Sequence, residues 1–217
     1  MSRFGVLGTG VVGQAIAGKL VELGHEVKMG SREAGSEKAV AWVGEAGEGA
    51  SEGRFEDAAE FGEVLVNATA GVASLDALHT AGAQHLKGKV LIDIANPIDP
   101  GSGSPPSLAF CNTESLGERI QRAFPDARVV KTLNTVNAGV MVDPGSVPGR
   151  HNVFVSGNDA GAKREVGELL EAFGWPGGAI VDLGDVSTAR GPEMYLALWL
   201  RLMNATGTAA FNIAVVR

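Results

Sequence analysis

Apolar residues along this chain alternate between two spacings. The short apolar run over 4–8 suits a strand buried on both faces, and 25–29, 64–66, 90–94 and 128–133 read as further strands. Between them, apolar residues recur at helical spacing, as where Val12, Ile16, Leu20 and Leu23 share one face and Gly24 supplies the stop. Further helices are expected over 37–45, 75–86 and 114–124, with a loop or short helix across 47–61. Strands alternating with helices predict a parallel sheet with right-handed crossovers. After the Pro- and Gly-rich stretch 143–149 the pattern restarts. It gives a strand over 152–156, a helical stripe of Ala162, Val166, Leu169, Leu170 and Phe173, and a strand over 179–183. A last helix over 192–206 carries Tyr195, Leu198, Trp199 and Leu202 on nearly every side, which suits a domain or subunit interface or its own monomer's interior.

Composition narrows the class. Of 217 residues 45% are hydrophobic and 20% charged, which excludes wholesale disorder. Glycine is in excess, with 31 residues and no Gly-X-Y period, as expected where many tight turns and close backbone approaches are needed. The net charge of −7, with no basic run, argues against a nucleic-acid footprint. Cys111 is the only cysteine and no Cys/His group has metal-ligand spacing, so neither a disulfide nor a metal is expected and a reducing cytoplasm fits. No basic leader precedes the first strand, and the longest apolar run, 194–200, is too short to cross a bilayer.

Candidate chemistry begins at the first turn. Gly8-Thr9-Gly10-Val11-Val12-Gly13 matches G-x-G-x-x-G between a buried strand and a helix, inside one βαβ unit. Gly8 permits the tight turn, Gly10 lets backbone approach a pyrophosphate, and Gly13 allows helix and strand to pack closely. The helix N-terminus is left to face the anion. The expected fold is therefore α/β, a Rossmann-type doubly wound parallel sheet with a small C-terminal α/β extension. A dinucleotide-binding domain is expected over 1–140 and a small C-terminal domain over 141–217.

The second strand selects the dinucleotide. It ends Met29-Gly30-Ser31-Arg32, with no acid before Glu33 where an NAD site would place one against the ribose hydroxyls. Ser31 can donate a hydrogen bond, and Arg32 can pair with a 2′-phosphate and stack on adenine. Thr9 and Lys38 are candidates to assist, so the expected cofactor is NADP(H). Other strand ends complete the crevice: Thr69 and Ala70 along the ribose and phosphates, Asn96, Pro97 and Asn134 nearer the nicotinamide.

No acid–base constellation accompanies these residues. His25, His79, His85 and His151 read as satisfied or solvated, Lys131 as a surface or structural ion pair, and Asp93 and Asp182 have no evident partner. No catalytic side chain is expected. Alcohol oxidation needs a group to take the hydroxyl proton, whereas hydride exchange between a nicotinamide and a flavin-like ring needs little beyond stacking at near-attack distance.

The glycine loop, Gly24-His25-Glu26-Val27, Gly30-Ser31-Arg32, the segment 182–191 and Glu193-Met194-Tyr195-Leu196 resemble the NADP oxidoreductases dependent on the deazaflavin coenzyme F-420. The resemblance covers most of the chain. It implies hydride transfer between NADP(H) and the deazaflavin, with the acceptor ring in a cleft between two domains, and a homodimer. Where that family carries a histidine, this chain has Leu133-Asn134-Thr135; Lys131-Thr132-Leu133-Asn134-Thr135 is closer to the cytosolic domain of the STEAP metalloreductases, which passes electrons from NADPH to flavin. A flavin or metal reductase of that type is thus an alternative, as is a non-enzymatic NADP(H)-binding redox sensor. The β-hydroxyacid dehydrogenases share the N-terminal fold but need a helix bearing a catalytic lysine; the helix over 192–206 carries Arg201 and Asn204 and no lysine.

Overall fold

The computed structural model describes residues 1–216; Arg217, the end of the expected C-terminal domain, lies outside them. In chain order the elements are β1 (Arg3–Leu7), α1 (Val11–Glu22), β2 (Glu26–Ser31), α2 (Glu37–Ala46), β3 (Ala50–Arg54), α3 (Phe55–Phe61) and β4 (Val64–Asn67). There follow α4 (Ser74–Ala81), α5 (Ala83–Leu86), β5 (Val90–Asp93), α6 (Leu116–Ala123), β6 (Arg128–Thr132) and α7 (Ala138–Val142). The chain closes with β7 (Val153–Ser156), α8 (Ala160–Ala172), β8 (Ile180–Gly184) and α9 (Arg190–Thr206). The strands form one sheet in the order β3-β2-β1-β4-β5-β6-β7-β8.

Helices cover both faces, as the continuous apolar runs of the strands require. On one face Val6, Met29, Val66, Ile92 and Val130 meet Ile16 and Leu20 of α1, Trp42 of α2, Val140 of α7 and Val166 and Leu170 of α8. On the other, Leu7, Leu65, Leu91 and Val129 meet Ala58 of α3, Leu78 of α4 and Leu116 and Ile120 of α6. Strand order reverses between β1 and β4, so their C-terminal ends open a crevice between diverging connections.

Three features depart from the expected pattern. Residues 47–61 contain a strand, β3, paired parallel to β2 from Val27↔Ala50 to Ser31↔Arg54. Ala-Ser-Glu-Gly-Arg has no β-branched residue, and only its place at the sheet edge, with one neighbour to satisfy, makes it a strand. Gly82, at φ +88°, splits the expected helix over 75–86 into α4 and α5. The sheet is also not wholly parallel, because β7 runs antiparallel to β6. The chain between them holds the short α7 and a single 3-10 turn at Pro144–Ser146, and α7 packs on α1 instead of recrossing the sheet. The boundary expected at residue 140 falls inside α7, and β7 and β8 extend the same sheet. No helix among the described residues is long and apolar enough to cross a membrane.

Candidate functional site

The glycine loop joins β1 to α1 beside the end of β4. Gly8 sits at φ +125°, and a Cβ there would lie 2.4 Å from the carbonyl oxygen of Ala68. A Cβ on Gly13 would lie 2.1 Å from the Gly8 oxygen, so helix and loop touch through backbone. Gly10 differs: its Cβ would meet nothing within 4 Å, leaving open space over the N-terminus of α1. That terminus has no side-chain cap and no acid in its first turn, so its N–H groups are available to an anion. Thr9 is half-buried and its carbonyl accepts from Gln14 Nε2 at 3.0 Å; Val11 is 77% exposed, and Val12 turns inward.

At the end of β2, Ser31 is buried and its hydroxyl donates to the carbonyl of Glu33. In this arrangement it offers the site lone pairs, not the proton expected from the sequence. Arg32 and Lys38 are exposed, and among the described residues neither forms an ion pair. Because β3 falls in a stretch expected as a loop or short helix, two neighbours escaped sequence reasoning. Arg54 stands opposite Ser31 in the β2·β3 register, adding a cation to this corner. Glu52 reaches across to accept from Gly35 N at 3.0 Å, so the corner is not free of acids beyond Glu33.

A cleft of about 260 Å³ opens beside the loop at the ends of β4, β5 and β6. Of the expected residues, Val12, Thr69, Ala70, Asn96 and Asn134 line it, whereas Pro97 is buried just behind. Gly8, Thr9, Gly10, Val11, Gly13, Ser31, Arg32 and Lys38 lie outside it, toward the loop and the β2 end. Asn96 and Asn134 pair reciprocally: Asn96 Nδ2 donates to the Asn134 carbonyl at 2.8 Å, and Asn134 Nδ2 to Asn96 Oδ1 at 3.0 Å. The far wall comes from Met141 of α7 and from Leu196 and Trp199 of α9. Phe211, in the tail after α9, stacks on Trp199 with ring centroids 5.4 Å apart. The buried Trp199 Nε1 has no hydrogen-bond partner among the described residues. Asn137, which also lines the cleft, accepts from Val140 N at 3.0 Å and donates to the Ala209 carbonyl. Helical periodicity exposes α9 as apolar but does not say which of its faces meets the sheet end. No side chain lining the cleft carries a titratable acid or base.

Beneath the cleft lies the charge cluster that the sequence left unassembled. Lys131 on β6 is 1% exposed, and its ammonium lies 2.9 Å from Asp93 Oδ2 and 2.9 Å from Glu193 Oε1 while also donating to the Ala95 carbonyl. It is therefore a buried structural pair rather than a surface one. Burial alone would pull the lysine pKa down, but the two carboxylates outweigh it and hold the pKa above its ordinary value. Asp93 also accepts from Asn67 Nδ2 at 2.8 Å, so it does have partners; Asp182 pairs with Lys163 at 2.8 Å. The histidines lie elsewhere: His25 against Phe4, His79 against Phe124, His85 near Glu56 and His151 against Trp175.

Comparison with known proteins agrees with this geometry. The sequence model of the family described as NADP oxidoreductase coenzyme F420-dependent matches residues 3–97, the segment that holds the glycine loop, the β2 end and the first cleft residues. A crystal structure from Arthrobacter sp. FB24, provisionally named an F420-dependent NADP reductase, is 51% identical, with 100% of each chain covered and a TM-score of 0.94. Rat metalloreductase STEAP3 is 29% identical over 205 residues, covering 93% of this chain but 37% of its own length, so the chain spans about a third of that relative. A reductive aminase from Aspergillus terreus solved with NADPH shares the fold at 19% identity and a TM-score of 0.65, covering 95% of this chain and 63% of its own. With an apolar cleft beside an uncapped glycine loop, and a full-length match at this identity, the chain belongs to the family of coenzyme F420-dependent NADP oxidoreductases.

Proposed function

We propose that this protein transfers hydride between NADP(H) and a deazaflavin of the F-420 type or a related flavin. The observation that carries this reading is the cleft itself, which abuts the loop and contains no titratable side chain. A reaction that had to move a proton from an alcohol would need one there. Transfer between two stacked rings needs proximity, exclusion of water and fixed orientation.

The loop residues Gly8, Thr9, Gly10, Val11, Val12 and Gly13 hold the pyrophosphate through the N-terminus of α1. Arg32, assisted by Lys38 and Arg54, meets the 2′-phosphate, with Ser31 buttressing the turn. Thr69 and Ala70 lie along the ribose, and the Asn96–Asn134 pair, backed by Pro97, flanks the nicotinamide. When bound, NADPH supplies the hydride. Leu196, Trp199 and Met141 then form the apolar seat against which the acceptor ring packs. A flavin as acceptor is the second reading, supported by Leu133-Asn134-Thr135 and by the similarity to STEAP3. The exposed Met194 and Leu198 on the outer side of α9 support pairing of two copies, and the lone free Cys111 suits a reducing cytoplasm.

The test is anaerobic mixing of the protein with NADPH and, separately, deazaflavin F-420, FMN and FAD, following nicotinamide absorbance. Oxidation with deazaflavin, or with a flavin at lower efficiency, is the expected outcome. NADPH binding without oxidation by any of the three would leave a nucleotide sensor in place of an enzyme of this type.

A further inference from the structure

An unbroken line of polar contacts runs under the cleft through Thr69, Asn67, Asp93, Lys131, Glu193 and the N-terminus of α6. Of these only Thr69 lines the cleft. Their chemistry fixes the direction of the bonds from Lys131 to Asn67; Ser74, whose hydroxyl accepts from Asn67 Nδ2 at 3.0 Å, also lies 2.9 Å from the Thr69 hydroxyl, a contact either oxygen can donate. An ammonium is a donor only, and Lys131 spends its three protons on Asp93, Glu193 and the Ala95 carbonyl. Asp93 is ion-paired with Lys131 through Oδ2 and meets the Asn67 amide Nδ2 at Oδ1; the flipped amide would set oxygen against oxygen. Asn67 Oδ1 then faces Thr69, whose hydroxyl donates to it at 2.7 Å. Both partners of the Thr69 hydroxyl, Asn67 Oδ1 and Ser74 Oγ, lie on its inner side, so its one proton is directed inward and a lone pair is what it offers a ligand. At the other end Glu193 accepts from Leu116 N at 2.7 Å and Gly117 N at 3.2 Å. This ties the first turn of α9 to that of α6 and sets where Leu196 and Trp199 stand.

We propose that Lys131 is a positioning residue for both walls of the cleft. Through Asp93 and Asn67 it orients Thr69 to accept a hydrogen bond from a cofactor hydroxyl, and through Glu193 it holds α9 at the spacing that seats the acceptor. A ribose hydroxyl, which can donate, suits Thr69 so constrained; a phosphate, which offers only lone pairs, does not. The inference rests on the reading above only for the identity of the two occupants.

Three variants of the full chain test it, by hydrogen exchange and by NADPH titration on nicotinamide fluorescence. Glu193→Gln cuts the α9 branch alone: exchange across 190–206 accelerates by about tenfold or more, while NADPH affinity stays within about twofold. Asn67→Ala cuts the Thr69 branch alone: NADPH weakens by about tenfold and exchange across 190–206 is unchanged. Lys131→Met shows both effects; should it fail to fold, the first two variants still decide. With any acceptor the wild type reduces, Glu193→Gln raises its KM with little change in kcat. A wild type that reduces neither deazaflavin nor flavin removes the proposed reaction and leaves the exchange and binding results to judge Lys131. Uniform loosening of all peptides in Glu193→Gln, or full NADPH affinity in Asn67→Ala, overturns the proposal.

Discussion

At the level of single side chains, the proposed cofactor preference rests on Arg32. It is exposed and unpaired among the described residues, so its guanidinium is available to a phosphate without first breaking another contact. Loss of a charge-assisted bond costs about 1.5–3 kcal/mol, so Arg32→Ala should weaken NADPH by about tenfold or more and leave NADH nearly unchanged. Equal losses, measured by titration of both nucleotides, would assign the phosphate to Lys38 or Arg54 instead. The exposure of Arg32 and the close backbone approaches of Gly8 and Gly13 were legible in the sequence because each depends on local geometry or on the residue's own charge. Arg54 and Glu52 were not, since only the register of β3 against β2 brings them to that corner.

Among the elements, α9 links the cleft to the charge cluster beneath it. Its inner face gives Leu196 and Trp199 to the cleft, its first turn gives Glu193 to the buried cluster, and Phe211 beyond it stacks back on Trp199. Trp199→Ala should raise the KM for the acceptor by about tenfold, the value of one lost aromatic contact, with NADPH affinity within about twofold. Steady-state kinetics beside direct nucleotide binding separates the two. A similar rise in the NADPH dissociation constant would place Trp199 on the cofactor instead. Periodicity found this helix within two residues of its observed start, as it found α2, α6 and α8. It could not find β3, whose residues lack strand propensity, nor the reversal at β7, which depends on α7 packing against α1 rather than on any local signal.

Over the whole molecule, acid stability follows from ion pairs that tie the two halves of the chain together. Arg190 hydrogen bonds hold the Glu118 carboxyl below its ordinary range, joining α9 to α6. The Ala162 backbone N–H and the Arg128 guanidinium do the same for Asp159, joining α8 to β6. A depressed carboxylate pKa contributes stability that is present above the unfolded value, near 4, and is lost as pH falls through the folded value. Thermal unfolding should therefore be level near neutrality and decline below about pH 4. Glu118→Gln should lower the melting temperature at pH 7 and flatten the acid decline; an unchanged slope would mean that other carboxylates carry it.

The separation of the two walls has a consequence for how such a protein changes partners. The proposed nucleotide contacts are drawn mainly from the first third of the chain, whereas the opposite side of the cleft is built largely by one helix close to its end, fastened underneath by the buried Glu193 carboxylate and at its start by Arg190. Substitutions on the inner side of that helix can re-tailor the guest molecule while the electron donor stays in place, provided the carboxylate that docks it is kept. A lineage built this way can exchange one oxidant for another by rewriting a few side chains, without rebuilding the machinery that recognises its reductant.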